Sequence, residues 1–391
     1  MYIENLKDKQ YEVSERTFSM KKERLMELDV MRGIAFLFIV LQHTIGGFSY
    51  RDDISFNDFV LAKFIYTAAQ VGVVMFMFLT AVSLVYTYSE KFNIKDFYIK
   101  KLKFLILPFV LWSLIIMLND GDPIDYQSGL VIFSGAAQYH LWYMGMIIRV
   151  YLYFPIILWM INKVKEKNIY LKASIFVLLT YLYWFVLSHY GIADFISSHI
   201  FKNPNDLQKK LVNISPIFYF LYFVVGIYAV CNYKKFKAMI LKYKYTVSLI
   251  YAFCFGFYYY IALSERWIGL PKVKGTIAMS ILFRISSVLF FYLISCIIAQ
   301  KLPILLSMLK TVSRYSFPAY LIHVMILNKL TGYISTTPEI TSYIKYFVAT
   351  VFISIGVSAF INYIPYSEYL MGVKSRRLNI IFSKTAFRKV D

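Results

Sequence analysis

Charge is scarce in this sequence. Of its 391 residues only 16% are Asp, Glu, Lys or Arg, while 59% are apolar and the mean hydropathy is +0.58. A soluble domain usually has about 25% charged and about 45–50% apolar residues, so the balance argues for a membrane protein. Cysteine is nearly absent. Cys231, Cys254 and Cys296 fall in or beside apolar segments without metal or redox spacing, which excludes a disulfide framework. Residues 1–26 are polar and basic and lack the apolar core and small-residue cleavage site of a signal peptide, so the first apolar helix is expected to stay in the mature protein. No 20–50-residue period repeats, and no tract is of low complexity. The net charge of +20 is scattered between apolar segments and forms no basic domain, which sets nucleic acid aside as a partner.

What the chain has in abundance is apolar length and aromatic rings. Aromatics reach 19%, with 35 Phe and 35 Tyr, as expected where helix ends sit at lipid headgroups. Ten stretches are long enough, or nearly so, to cross about 30 Å of hydrocarbon: 30–48, 60–87, 103–119, 141–161, 171–190, 214–231, 244–263, 277–299, 315–331 and 345–364. The third is short, and Pro318 interrupts the ninth. Connections on one side of these stretches, with both tails, carry 28 Lys and Arg, against seven on the other (Arg51, Lys202, Lys209, Lys210, Arg266, Lys272 and Lys274). Positive charge is retained in the cytoplasm, so the expected fold is an all-α integral membrane protein of about ten transmembrane helices with both termini cytoplasmic. The longest outer loop, about 190–213, is too short for an extracellular domain. The expected organisation is a basic tail 1–26, a membrane domain 27–366 and a basic tail 367–391.

The first segment, 28-LDVMRGIAFLFIVLQHTIGGF-48, carries two groups that are costly to bury. Eleven residues at about 100° each return His43 to within roughly 20° of the direction of Arg32, about 16 Å further along the axis. Both therefore face one way, Arg32 near the cytoplasm and His43 in the bilayer. Ionisable groups at membrane depth usually face a cavity or a partner. Arg32 alone would also suit snorkelling to headgroups, and His43 could be a satisfied structural histidine. His140 and Trp142 open the fourth segment, and Arg149 lies about two turns deeper. Arg284 and His323 sit inside the eighth and ninth. Such groups could equally form a structural polar network, Arg284 above all. Lys100, Lys101 and Lys103 stand where the third segment meets the cytoplasm. They read either as a positive-inside anchor or as a phosphate-binding rim, since lysine holds phosphate as a point charge.

In order and wording these segments resemble the acyltransferase 3 family of integral membrane acyltransferases, which O-acylate cell-surface polysaccharides and related glycans. Glu27-Leu28-Asp29, Arg32-Gly33 and His43 resemble the first-helix signature of the family, an arginine or lysine, ten residues, then histidine. Residues 76-FMFLTAVSL-84 resemble its second-helix pattern, 97-FYIKKLKFLILP-108 its basic third-helix entrance, His140-Leu141-Trp142 its fourth-helix start, and Ser316 through His323 its late motif. The resemblance spans roughly 26–330. There are departures. Thr80-Ala81 replaces Ser-Gly, which blurs a close helix contact, and Pro318 stands where Gly is common. All three residues of the basic entrance are lysines, which puts bidentate phosphate contacts in doubt. Ile147 and Ile148 occupy the places of two glutamates found in members fused to an external hydrolase-like domain.

The resemblance implies a donor and a mechanism. An acyl-CoA, usually acetyl-CoA, would dock from the cytoplasm with its phosphates near Arg32, Lys100, Lys101 and Lys103, with no permanently bound cofactor and no metal. His43 would serve as general base on an acceptor hydroxyl or briefly accept the acyl group, and Arg149 could steady the oxyanion. His140, Trp142 and His323 would contact the acceptor, a surface polysaccharide or other glycan. Asp29 would pair with Arg32 or cap the first helix. A bacterial plasma membrane is the implied location, and polysaccharide-synthesis machinery a potential partner. Two other classes fit the same composition: a glycan export protein, against which stands the lack of paired inverted repeats, and a non-catalytic partner of a polysaccharide synthase.

Overall fold

The computed structural model describes residues 23–189, 191–265, 269–272, 275–333 and 337–375. Residues 1–22, Arg266, Lys274 and 376–391, with their share of the expected basic tails and outer loops, lie outside the described residues. Within them the chain is helical and has no strand. In order the helices are α1 (Met26–Ile45), α2 (Phe56–Ala69), α3 (Gly72–Tyr88) and α4 (Ile94–Lys101), which passes through a π-helical turn (Leu102–Ile106) into α5 (Leu107–Asp120). Next come α6 (Ser128–Phe133), α7 (Trp142–Val164), α8 (Ile169–Ser188), α9 (Ile192–Phe201), α10 (Asp206–Asn213) and α11 (Phe220–Cys231). The last are α12 (Tyr233–Lys242), α13 (Lys244–Ser264), α14 (Ile277–Lys301), α15 (Pro303–Leu330), α16 (Ile340–Ile361) and the single turn α17 (Glu368–Met371).

Among the described residues eight stretches are long and apolar enough to cross a membrane: α1, α2 with α3, α4 with α5, α7 with the turn before it, α8, α13, α14 and α16. The other two expected segments have a different form. The sixth holds only the 12 residues of α11, because the 3-10 turn Pro216–Phe218 takes up the chain before it. The ninth belongs to α15, 28 residues long but punctuated by Lys310, Arg314 and Lys329. Pro318 does not interrupt it. A proline inside a helix costs about 3 kcal/mol, and here it is buried where α15 packs on α1 and α16. The second segment, by contrast, is broken between Ala69 and Gly72. A Cβ on Gly72 would stand 3.0 Å from the Ala35 carbonyl oxygen, so the break falls where the backbones of α1 and α3 nearly touch.

α1 is the hub. It packs against α2, α3, α14, α15 and α16. Its residue Glu27 is buried, and a buried charge needs partners. Lys237 Nζ and the Tyr233 hydroxyl both reach its Oε1 at 2.8 Å, tying α1 to α12. The missing glycine of 76-FMFLTAVSL-84 is supplied from across the interface. Gly226 of α11 lies so close to α3 that a Cβ there would meet Ala81 Cβ and the Phe78 carbonyl oxygen at 2.7 Å each. Because backbone must then move, Gly226→Leu is expected to destabilise the protein by about 1–3 kcal/mol. A thermal melt in detergent that matched the parent would refute this reading of the contact.

Candidate active site

Three histidines meet at the end of α1. His43 lies in the last turn of α1, His140 in the 3-10 turn Tyr139–Leu141 before α7, and His323 on α15. Ring centroids are 4.7 Å apart for His140–His323, 5.3 Å for His43–His323 and 6.2 Å for His43–His140. Tyr139 closes one side of His43 at 5.1 Å. His140 and His323 are fully buried, while His43 is half-buried. One backbone oxygen organises the buried pair. The Tyr320 carbonyl lies 3.1 Å from His140 Nε2 and 2.7 Å from His323 Nδ1. A carbonyl only accepts, so both nitrogens carry the proton. In the neutral rings the lone pairs then sit on His140 Nδ1 and His323 Nε2, and neither atom has a hydrogen-bond partner among the described residues. The Tyr320 hydroxyl donates in return to the His140 carbonyl, so each residue clamps the other. Among the described residues no group of three or more His, Cys, Asp and Glu is arranged to hold a metal ion.

A cavity of about 360 Å³ adjoins this cluster through Tyr320, and none of the three histidines lines it. Its lining includes Arg32, Thr80, Ser83, Lys101, Tyr143 and Tyr320. Tyr320 is in ring contact with His140 at 5.3 Å and with His323 at 5.7 Å. Arg32 is held in place by Asp29 Oδ1 at 3.3 Å and by Ser83 Oγ at 3.4 Å. Asp29 is therefore an ion-pair partner rather than a cap, and it also receives Arg24 Nε at 2.6 Å. Lys101 Nζ rests 4.0 Å from the centroid of the Tyr151 ring, an arrangement that holds a cation by the ring quadrupole.

The structure divides the three lysines. Only Lys101 lines the cavity; Lys100 is turned about 100° from it on α4, and Lys103 lies in the π-helical turn that begins at Leu102. Lys100 is exposed, and Lys103 pairs with Glu368 Oε1 at 3.5 Å. This contact docks α17 beside the cavity. Pro108 has no N–H for the carbonyl of Phe104 four residues back, and Gly372 packs directly over that oxygen. With φ of +63° and a Cβ position only 2.4 Å from it, no other residue fits. Trp112 Nε1 donates to the Leu370 carbonyl at 3.0 Å, and Gly372 lines the cavity. Hydrogen bonding to Ser375, with Lys103 nearby, holds the Glu368 carboxyl below its ordinary pKa. A lowered carboxylate pKa stabilises the docked form above the ordinary value and loses that effect as pH falls through the lowered one. Proteolysis after Gly372 is therefore expected to quicken only at acid pH, and in Glu368→Gln already at neutral pH. Equal cleavage of the variant and the parent would refute the clamp.

Two expected residues are not brought to the cluster. Arg149 is about 200° around α7 from the cavity-lining Ile147 and Tyr151, and it donates to the Leu211 carbonyl at 2.6 Å instead. Trp142 faces Tyr219, with ring centroids 5.4 Å apart. Arg284 stands beside the rings of Tyr222 and Tyr183, in a separate polar contact.

The family model described as an acyltransferase domain, acyltransferase 3, matches residues 26–359. The chain belongs to the acyltransferase 3 family. No curated protein and no solved structure matches it. This acyltransferase 3 chain is a multi-pass membrane protein and an acyltransferase by family, and the match takes in α1 through nearly all of α16. The residues that join the cavity to the histidines, Tyr143 and Tyr320, were not singled out in the sequence. A signal existed for one of them: Tyr320 precedes His323 by three residues, which puts both on one helical face.

Proposed function

We propose that this protein transfers an acetyl group from cytoplasmic acetyl-CoA to a hydroxyl of a cell-surface or cell-wall polysaccharide. In this reading it crosses a bacterial plasma membrane ten times with both termini inside, as the 28-to-seven division of Lys and Arg favours. The observation that carries the reading is a cavity that Arg32 and Lys101 line together with Tyr320, the residue against which His140 and His323 pack. Phosphates of the donor sit at Arg32 and Lys101, with Lys100 and Lys103 as outer attraction. The pantetheine arm follows α1 past Tyr143 and Tyr320 towards His43. His43 takes the proton of the acceptor hydroxyl as that oxygen attacks the thioester carbonyl. The ester C–O bond forms, the C–S bond breaks, and the leaving thiolate takes up a proton. His140 Nδ1 and His323 Nε2, whose lone pairs are fixed by Tyr320, accept hydrogen bonds from the acceptor and orient it. The test is free-thiol release from acetyl-CoA by the full chain in liposomes. Release that depends on added polysaccharide is expected; none under any acceptor would contradict the reaction.

A further inference from the structure

A second cavity lies on another face of α7. It is a groove of about 770 Å³ between α7, α8 and α11, lined by Tyr153, Ile157, Leu179, Phe220 and Ile227 among others. It exists for two reasons that the fold makes plain. α11 is short, and α8 stands off from the bundle: of its 20 residues only Tyr183 is buried. The groove extends along α7 from Val150 to Val164 and along α11 from Phe220 to Cys231. Fourteen residues of helix rise about 21 Å, roughly half of a bilayer of about 40–45 Å with its headgroup regions. Its depth is thus that of one leaflet.

The polar groups are confined to one end. Lys163, Lys165 and Lys172 line the groove there, and no other charged residue does. The trio is organised by the fold. Lys172 Nζ donates to the Lys165 carbonyl at 2.6 Å, the Tyr228 hydroxyl donates to the Lys172 carbonyl, and Lys163 Nζ lies 5.4 Å from the Trp159 ring centroid. The loop between α7 and α8 adds Glu166 and Lys167, which cancel in charge. A dry apolar slot one leaflet deep, with three cations at the headgroup end, matches one class of molecule in both its parts.

We propose that this groove binds one anionic phospholipid of the bilayer, its chains between α7, α8 and α11 and its phosphate among Lys163, Lys165 and Lys172. The proposal rests on the chain spanning a membrane and not on the acyl-transfer reaction. Without a lipid chain the apolar walls would lose the dispersion contacts that a packed interior supplies. The lysines then select the headgroup, because each basic residue near an anionic headgroup adds about 1 kcal/mol.

The full chain in detergent is titrated with phosphatidylglycerol and, separately, phosphatidylcholine, and adducts are counted by native mass spectrometry. Phosphatidylglycerol is expected to stay bound and phosphatidylcholine to be lost. Lys163→Gln, Lys165→Gln and Lys172→Gln combined should weaken phosphatidylglycerol binding on the order of a hundredfold. Leu179→Trp fills the deep end, keeps all three lysines, and should also lose the adduct. Melting curves of both variants confirm that they remain folded. Equal retention of the two lipids would overturn the proposal. So would retention of phosphatidylglycerol by the Leu179→Trp variant, since the lysines alone would then account for binding.

Discussion

His43→Ala is expected to lower acyl transfer by about 10²–10⁴-fold, the range that a positioned general base contributes, with expression and melting temperature unchanged. The small structural effect follows from the surroundings. His43 is half-buried and has three ring neighbours, but among the described residues no hydrogen bond of its side chain holds the helices together. His140 and His323 differ, because both are tied to the Tyr320 carbonyl. Removing either would take one of the two hydrogen bonds from that carbonyl and leave a gap in a fully buried cluster, costing stability as well as rate. Thiol release, measured at saturating acetyl-CoA beside a melt of each variant, separates the two kinds of loss. If the His43→Ala variant kept more than a tenth of the rate, proton transfer would have to be assigned elsewhere.

Arg32→Gln is expected to raise KM for acetyl-CoA by roughly tenfold to a hundredfold, since a hydrogen bond to a charged group is worth about 1.5–3 kcal/mol. The turnover number should change little, because Arg32 lies eleven residues, about 16 Å of helix, from His43. Structural loss should also be small. Asp29 keeps Arg24 at 2.6 Å when Arg32 is gone. Lysine at position 32 should restore part of the affinity, as a point charge without the planar fork of arginine. A fall in turnover at unchanged KM would place Arg32 in the chemistry instead of in donor binding.

Much of this was legible in the sequence, and the limits have physical causes. The apolar stretches gave their positions because lipid demands continuous apolar length. Arg32 and His43 could be placed on one side of α1 because their eleven-residue spacing is a local property of a helix. What brings His140 to His323 is not local. They are 183 residues apart in the sequence and meet only where α15 and the turn before α7 come together beside His43. Lys100, Lys101 and Lys103 looked equivalent, but Lys100 and Lys101 point about 100° apart on α4, and Lys103 falls in the π-helical turn that follows. Arg149 looked like a deep cation, and helical phase turns it away from the cavity towards Leu211. The break in the second segment could not be read from 60–87, an apolar run in which only the approach of Ala35 to Gly72 forces a change of direction.

The central claim is that the three histidines at the end of α1 acylate a surface glycan. It is tested most directly by mass spectrometry of surface polysaccharide from cells that carry the native protein or the His43→Ala variant at matched expression. The account predicts an ester-linked acyl mass, removable by mild alkali, with the native protein and its loss with the variant, at unchanged polymer amount. Unchanged acylation, with polymer retained inside the cell or missing from its surface, would contradict it and favour a role in export or assembly.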